Sequence, residues 1–260
     1  MLLVSVAATL NWARAILCAF SMSSVIGSPL TRLHEAHFKL LSADASAKIG
    51  NAYFEVIRPT STQIILRVNY RFSNGDYDID EDWLKLHRGG ELPQMLKYKH
   101  TFFHANGSLD RVNEANFVNG NASCTIYDDG HAKVKSTKLS FPPNTYAGPA
   151  VMLPIRYSLF RHSAAIANFH FFACAPSPEI FVFAAASRLP AHWTFYPGNL
   201  AEVDIRPDFG WLDFVIAPLI PQIRLWFDPA HDLQFAGATA SRYYRGLSFV
   251  ILRGTERARD

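Results

Sequence analysis

Three short stretches of the chain carry side chains whose type and spacing suggest chemistry. The first is "HEAH", His34 to His37. A helix bearing H-E-x-x-H sets two imidazoles on one face to bind zinc, but this spacing is one residue short. On a strand, residues three apart point to opposite faces and chelate nothing; on a helix they converge, with no third ligand signalled. The second is "KHTFFH", with His100 and His104. In an extended segment rising ~3.3 Å per residue the two sit roughly 13 Å apart, too far to share an ion. They read, like the other histidines, as surface or rim residues. The third is "DYDIDEDW", in which Asp76, Asp78, Asp80 and Asp82 alternate along one strand face. Aligned carboxylates can hold calcium. The commoner meaning is a solvated edge strand, where charge discourages unwanted pairing, and that is the expectation. No metal site and no cofactor are expected.

Signatures of catalysis are equally thin. There is no G-x-S-x-G elbow and no S-x-x-K, and "RGGEL", Arg88 to Leu92, lacks the spacing and lysine of a phosphate-binding loop and reads as a hairpin end. No catalytic residue is assigned. Should the scaffold be an enzyme, His100 and Asp228 are the acid or base candidates. With 25 Lys and Arg against 22 Asp and Glu the net charge is only +3. That balance, without a dense basic face, argues against nucleic acid as a partner.

The elements that must position these residues are strands. Asn74-Gly75, Asn106-Gly107, Asn119-Gly120 and Asp129-Gly130 recur as signals for the tight turns that join antiparallel strands. Before the first turn, "TQIILRVNYRF" alternates, with Ile64, Leu66, Val68, Tyr70 and Phe72 on one face and Gln63, Arg67, Asn69 and Arg71 on the other. The first set is the candidate apolar inner face for a ligand. "MLKYKHTFF" pairs with "SLDRVNEANFV" across Asn106-Gly107, and "ASCTIYD" and "HAKVKSTKLSF" continue the meander.

After "FPPNTYAGPA" the texture changes, because Pro142, Pro143, Pro149 and Pro154 cannot lie inside a central strand. The spacing predicts a short, Pro-interrupted helical connection over Ala150 to Phe169. The apolar window Asn168 to Leu189 is then split by Pro176 and Pro178 into two strands, "NFHFFACA" and "EIFVFAAAS", apolar on both faces and so expected to be covered on both. "AEVDIRP", "PQIRLWFDP", "DLQFAGATAS" and "GLSFVILRG" complete the strand set. Between the first two of these, Asp208 to Pro221 is suited to a short helix that plugs an apolar face. "HEAHFKLLS" fits a helical and an alternating template equally.

These readings define a mainly β chain: a single curved antiparallel sheet or half-barrel, with a few short helices covering one side. Residues 1–28 are apolar, nearly free of acids, and marked by Arg14, as in an export signal or N-terminal anchor. Residues 29–260 form the single β domain. A periplasmic or secreted location follows if the leader is a signal peptide. Cys124 and Cys174 then remain, either bridged in an oxidising compartment or buried as free thiols. The abundance of Phe, Tyr and Trp fits a plain core or an apolar cavity.

The export-like leader, the turn-rich "YRFSNGDY", "HANGSLD" and "YDDGHAKVKSTKLSFPPNTYAGP", the helical interruption and the closing "LWFDPAHDLQF" together resemble a set of bacterial envelope domains. These are exported β-rich proteins, similar in outline to the lipoprotein-carrier half-barrels, and the resemblance spans Phe38 to Phe235. It implies a curved antiparallel sheet whose apolar concave side, partly closed by short helices, holds an acyl chain or a peptide. No functional residue transfers with it. The expected function is a non-enzymatic binding or carrier protein for a hydrophobic small molecule or lipid, with the membrane surface as a further partner. The alternatives are a hydrolase-like enzyme on the same scaffold and a structural or interaction protein of the cell envelope.

Overall fold

The computed structural model describes residues 31–87, 91–160, 165–208, 223–242 and 248–254. The leader, the proposed plug beyond Asp208, Arg88 to Gly90 and the side chain of His34 lie outside the described residues. Among the described residues all the strands belong to one 15-stranded sheet, built as a meander in two runs. The first run comprises β1 (Thr31–Ser42), β2 (Lys48–Thr60), β3 (Gln63–Phe72), β4 (Tyr77–Lys85), β5 (Gln94–Phe103), β6 (Leu109–Asn116), β7 (Asn121–Asp128) and β8 (His131–Lys138). The second comprises β9 (Thr145–Tyr146), β10 (Ala165–Cys174), β11 (Pro178–Trp193), β12 (Tyr196–Pro207), β13 (Ile223–Asp228), β14 (Gln234–Ser241) and β15 (Ser248–Arg253). The runs are joined side by side by antiparallel pairing of β1 with β15, Phe38 opposite Arg253. "HEAHFKLLS" is therefore strand, and no helix forms there.

The turn signals act through glycine. Gly75, Gly107, Gly120 and Gly130 all take positive φ, which costs a residue without Cβ little. Only at Asp129-Gly130 are both central residues positive, the two-residue hairpin form. In the other three turns the Asn carbonyl oxygen instead accepts from the backbone N–H two residues on, at Asp76, Ser108 and Asn121.

The sheet is open but curls. Its two edges are β8 and β9, yet these are successive in the chain and joined by residues 139–144 alone. That connection reaches at most ~20 Å, which brings the edges together. A disulfide between Cys124 on β7 and Cys174 on β10, with Cα atoms 5.8 Å apart, ties them. The only parallel pairing found among the described residues, β9 with β10, lies at this seam.

Among the described residues there is one α-helix, α1 (Met152–Phe160), preceded by a 3-10 turn over Gly148–Val151, with a second such turn at Pro229–His231. The predicted helical connection ends early, since Ala165–Phe169 pairs with β11 as strand. Pro149 and Pro154 sit at the starts of the turn and helix, where a missing N–H is harmless. Ile155 and Leu159, four apart on one face of α1, are buried against Phe169, Phe183 and Phe227. Val182 on β11, expected to be covered, is 39% exposed. Among the described residues no helix is long and apolar enough to cross a membrane.

The disulfide closes a loop between residues 50 apart in sequence. Its loss is expected to cost about 2–4 kcal/mol by freeing the unfolded chain. A Cys124→Ala, Cys174→Ala double variant should therefore show a lowered urea midpoint, and wild-type protein in reductant should move to match it.

Candidate functional site

The curled sheet bounds a cavity of about 1160 Å³, somewhat above the roughly 300–1,000 Å³ typical of small-molecule sites. Both runs of the meander build its wall. Phe54 comes from β2, Phe172 from β10, Phe183 from β11, Phe227 from β13 and Phe249 from β15, and α1 closes one side with Met152. Alternation along each strand delivers these side chains to one face.

Of the candidate inner face on β3, Leu66, Val68 and Tyr70 line the cavity. Ile64 shares their face but is buried in the core cluster and is not part of the wall. Phe72, half-buried, also lies off the wall: its ring meets Phe249 edge to face at 5.9 Å and carries the Arg242 guanidinium 4.7 Å above it.

The largest departure from expectation is β4. It pairs with β3 and β5, so it is an interior strand and not a solvated edge. Asp78, Asp80 and Asp82 point inward and are buried, while Tyr77, Ile79, Glu81 and Trp83 face outward and are half-buried. Carboxylates in such a position demand partners or protons, and each has a different solution. Arg242, at the end of β14, donates from Nε and Nη2 to both oxygens of Asp78 at 2.6–3.2 Å and from Nη1 to Asp76 at 2.9 Å. Asp82 accepts from the backbone N–H of Ala150 in the 3-10 turn, at 2.7 Å. Asp80 Oδ2 lies 3.4 Å from His100 Nδ1 on β5.

Burial sets the protonation of this group. It drives Asp80 and Asp82 well above the carboxylate range, reinforced by the neighbouring Asp78 and Asp80 charges respectively. It raises Asp78 to about 6 against the opposing pull of Arg242. Burial also opposes ionisation of Asp76, but the hydrogen bonds from Arg242 and Asn74 prevail and hold it low. His100, expected at the surface, is buried in the wall, and desolvation with the charges of Arg242 and Arg111 lowers it to about 3. At neutral pH His100 is therefore uncharged, burial disfavours the charged form of Asp80, and the Asp78–Arg242 pair is ionic.

The register aligns these residues in a row. Ala36, Phe54, Val68, Asp80, His100, Asn113 and Cys124 are successive partners from β1 to β7. All but Cys124 line the cavity. One line across the wall thus passes from apolar to polar, its members ~4.8 Å apart.

Gly148 marks how tightly the 3-10 turn seats on β4. A Cβ there would lie 2.8 Å from Asp80 Oδ1 and 3.0 Å from the Tyr98 ring, and its φ is +46°. Elsewhere, His104 lies in the exposed turn beyond β5, and His37 packs against Tyr53 at 4.8 Å. Asp228 is not brought to His100. Its carboxylate accepts from Tyr196 Oη and the Ala230 N–H and lies 2.8 Å from His231 Nδ1, and it is not among the wall residues. Among the described residues no three His, Cys, Asp or Glu side chains are placed to hold a metal ion.

Arg242, Asn113 and Gly148 escaped the sequence reading, since each acts on partners distant in sequence. The interior place of β4 in the sheet did carry a signal: with a hairpin turn on either side, this strand could not be an edge.

No protein-family model matches the chain, and no curated protein matches it. Among solved structures it is similar to a crystal structure of a beta-barrel-like protein of domain of unknown function DUF1849 from Brucella abortus. The identity is 10%, the TM-score 0.47, and the match covers 85% of this chain and 95% of that one.

Two substitutions test the electrostatics through proton linkage. Folded Asp78 keeps its proton between 3.8 and about 6, where the unfolded chain has released it, so its contribution to stability declines as pH rises through that interval. Folded His100 stays neutral between about 3 and 6.5, where the unfolded chain takes up a proton, so its contribution grows with pH. Urea titrations from about pH 4 to about pH 6 should therefore show Asp78→Asn gaining stability relative to wild type as pH rises. His100→Phe should lose it, each with a slope difference approaching ~1.4 kcal/mol per pH unit. Parallel profiles would contradict the burial of these groups. At Gly148, alanine should cost about 1–3 kcal/mol, from left-handed strain and displacement of Asp80 together.

Proposed function

We propose that this chain is a non-enzymatic binding or carrier protein for a hydrophobic ligand, such as a lipid, an acyl chain or a lipidated peptide, working in an oxidising compartment after export. One observation carries the reading: the cavity is walled by phenylalanines contributed by strands of both runs. A core of this size would ordinarily be filled to native density. Apolar ligand surface entering it gains ~25 cal/mol per Å² removed from water, with no covalent chemistry needed. The Cys124–Cys174 bridge supports the compartment, because disulfides persist where thiols are not kept reduced. Asp228, one of the two acid or base candidates, is held by Tyr196 and the Ala230 N–H outside the cavity wall.

Native mass spectrometry of protein purified from its own host is expected to show a lipid-sized adduct that organic extraction removes. Extracted protein should then bind a pyrene-labelled alkyl chain. Ala240 lines the cavity from β14; Ala240→Trp would fill it and should weaken probe binding by about tenfold or more, with little change in melting temperature. A clean apo mass together with no binding of the probe would overturn the proposal.

A further inference from the structure

The hairpin of β11 and β12 runs past the strands on either side of it. Among the described residues, the last residue of β11 paired to β10 is Ala186, opposite Ala165, and the pairing of β12 to β13 stops at Ala201, opposite Phe227. Ser187 to Leu200 therefore projects from the sheet, its two arms paired to each other at His192–Asn199 and Trp193–Tyr196. The projection is braced. The Trp193 ring stacks on Trp226 at 4.1 Å and lies over Gly237, where a Cβ would come within 2.5 Å of it, and Tyr196 Oη donates to Asp228. What the hairpin leaves outside is apolar, with Leu189 58% exposed and Phe195 41%. The segment contains no Asp or Glu, and its fixed charge is Arg188. That side chain is 72% exposed, the most exposed of three guanidiniums around the buried Asp204, and stands 4.0 Å from a carboxylate that Arg224 already holds at 3.1 Å. The cavity reaches the surface close by. Helix α1 ends at Phe160, a wall residue that is itself exposed, and the chain enters β10 at Ala165, opposite the residue just before the projection.

We infer that this hairpin docks the molecule on an anionic lipid bilayer, with Leu189 and Phe195 entering the interface and Arg188 meeting lipid phosphates, so that the cavity exchanges its ligand with the membrane at the Phe160 end. The inference rests on the carrier reading for its cargo and adds to it the surface from which the cargo comes. Single exposed apolar residues are ordinary on any protein. Here two of them crown a braced projection, beside a cation in excess of its carboxylate and next to an exposed residue of the cavity wall. Attachment to a bilayer surface grows with the apolar area buried in it and with attraction to anionic head groups, and both are offered at one end of the molecule. A protein partner fits less well, because a specific interface takes about 800 Å² from each side, far more than two side chains at a hairpin tip present. A fluid lipid surface needs no such matched area.

Flotation of the full chain with phosphatidylcholine vesicles, with and without about 30% phosphatidylglycerol, tests the docking. Wild-type protein should float with the anionic vesicles and about fivefold less with the neutral ones, and the difference should shrink as salt is raised to ~0.5 M. A Leu189→Ser, Phe195→Ser double variant is expected to lower the bound fraction about tenfold, and Arg188→Glu about threefold on the anionic vesicles alone. None of the three residues lines the cavity, so both variants should bind the pyrene-labelled alkyl chain in vesicle-free solution within about twofold of wild type. That measurement also reports folding, and Arg188→Glu, at an open surface position, serves if the double variant does not fold. Wild-type protein that floats with neither vesicle, including one that dimerises through the hairpin instead, overturns the docking and leaves the carrier reading standing. So do variants that float as the wild type does. Flotation as expected with no binding of the probe keeps the docking and removes the carrier reading, and with it the exchange of cargo.

Discussion

The structure depends on the cost of putting three aspartates of one strand inside. In β4 the usual polarity is inverted: Asp78, Asp80 and Asp82 face the interior, while Ile79 and Trp83 lie outside. A shift of one residue in register would reverse the two faces. Strand hydrophobicity alone would favour that shift. What holds the observed register is the set of partners waiting inside, namely a guanidinium for Asp78, a backbone N–H for Asp82 and an imidazole beside Asp80. Removing one partner would leave an uncompensated buried polar group, whose cost exceeds the net worth of the contact itself.

Two of these partners belong to the second run of the meander. Arg242 follows β14, and Ala150 belongs to the turn between β9 and α1, whereas β4 belongs to the first run. The acidic strand is thus where the two halves of the sheet recognise each other across the hollow, and the disulfide repeats the connection at the seam. Pairing between β1 and β15 sets the halves side by side, and these cross-links set how far the sheet curls. The cavity is the space left between the two constraints. Its walls are held by groups that cannot move apart without exposing a charge or an unpaired donor to an apolar interior.

Much of the architecture was legible in the residues themselves. Four Asn-Gly or Asp-Gly pairs mark four of the seven hairpins of the first run, and the alternation from Gln63 to Phe72 places Leu66, Val68 and Tyr70 inward. Pro176 and Pro178 split the most apolar window into two strands, as its composition demands. What was not legible depends on long-range closure. Alternating aspartates mean a solvated edge when read locally, and become an internal ladder only because Arg242 and Ala150 arrive from sequence positions far away. His100 is indistinguishable from a surface histidine until its row is known. Ala165 to Phe169 has no period that separates strand from helix, and tertiary pairing with β11 decides it.

The pairing of β1 with β15 also bears on how the molecule comes into being. The first of the described strands has its lateral partner in the last of them. During synthesis one flank of β1 stays bare, with its row of amide and carbonyl groups open to any extended chain nearby. Contacts so distant along the polypeptide form late and slowly, because closing the longest loop precedes any reward for doing so. The nascent chain is accordingly open to intermolecular β-pairing along that flank until β15 has been made.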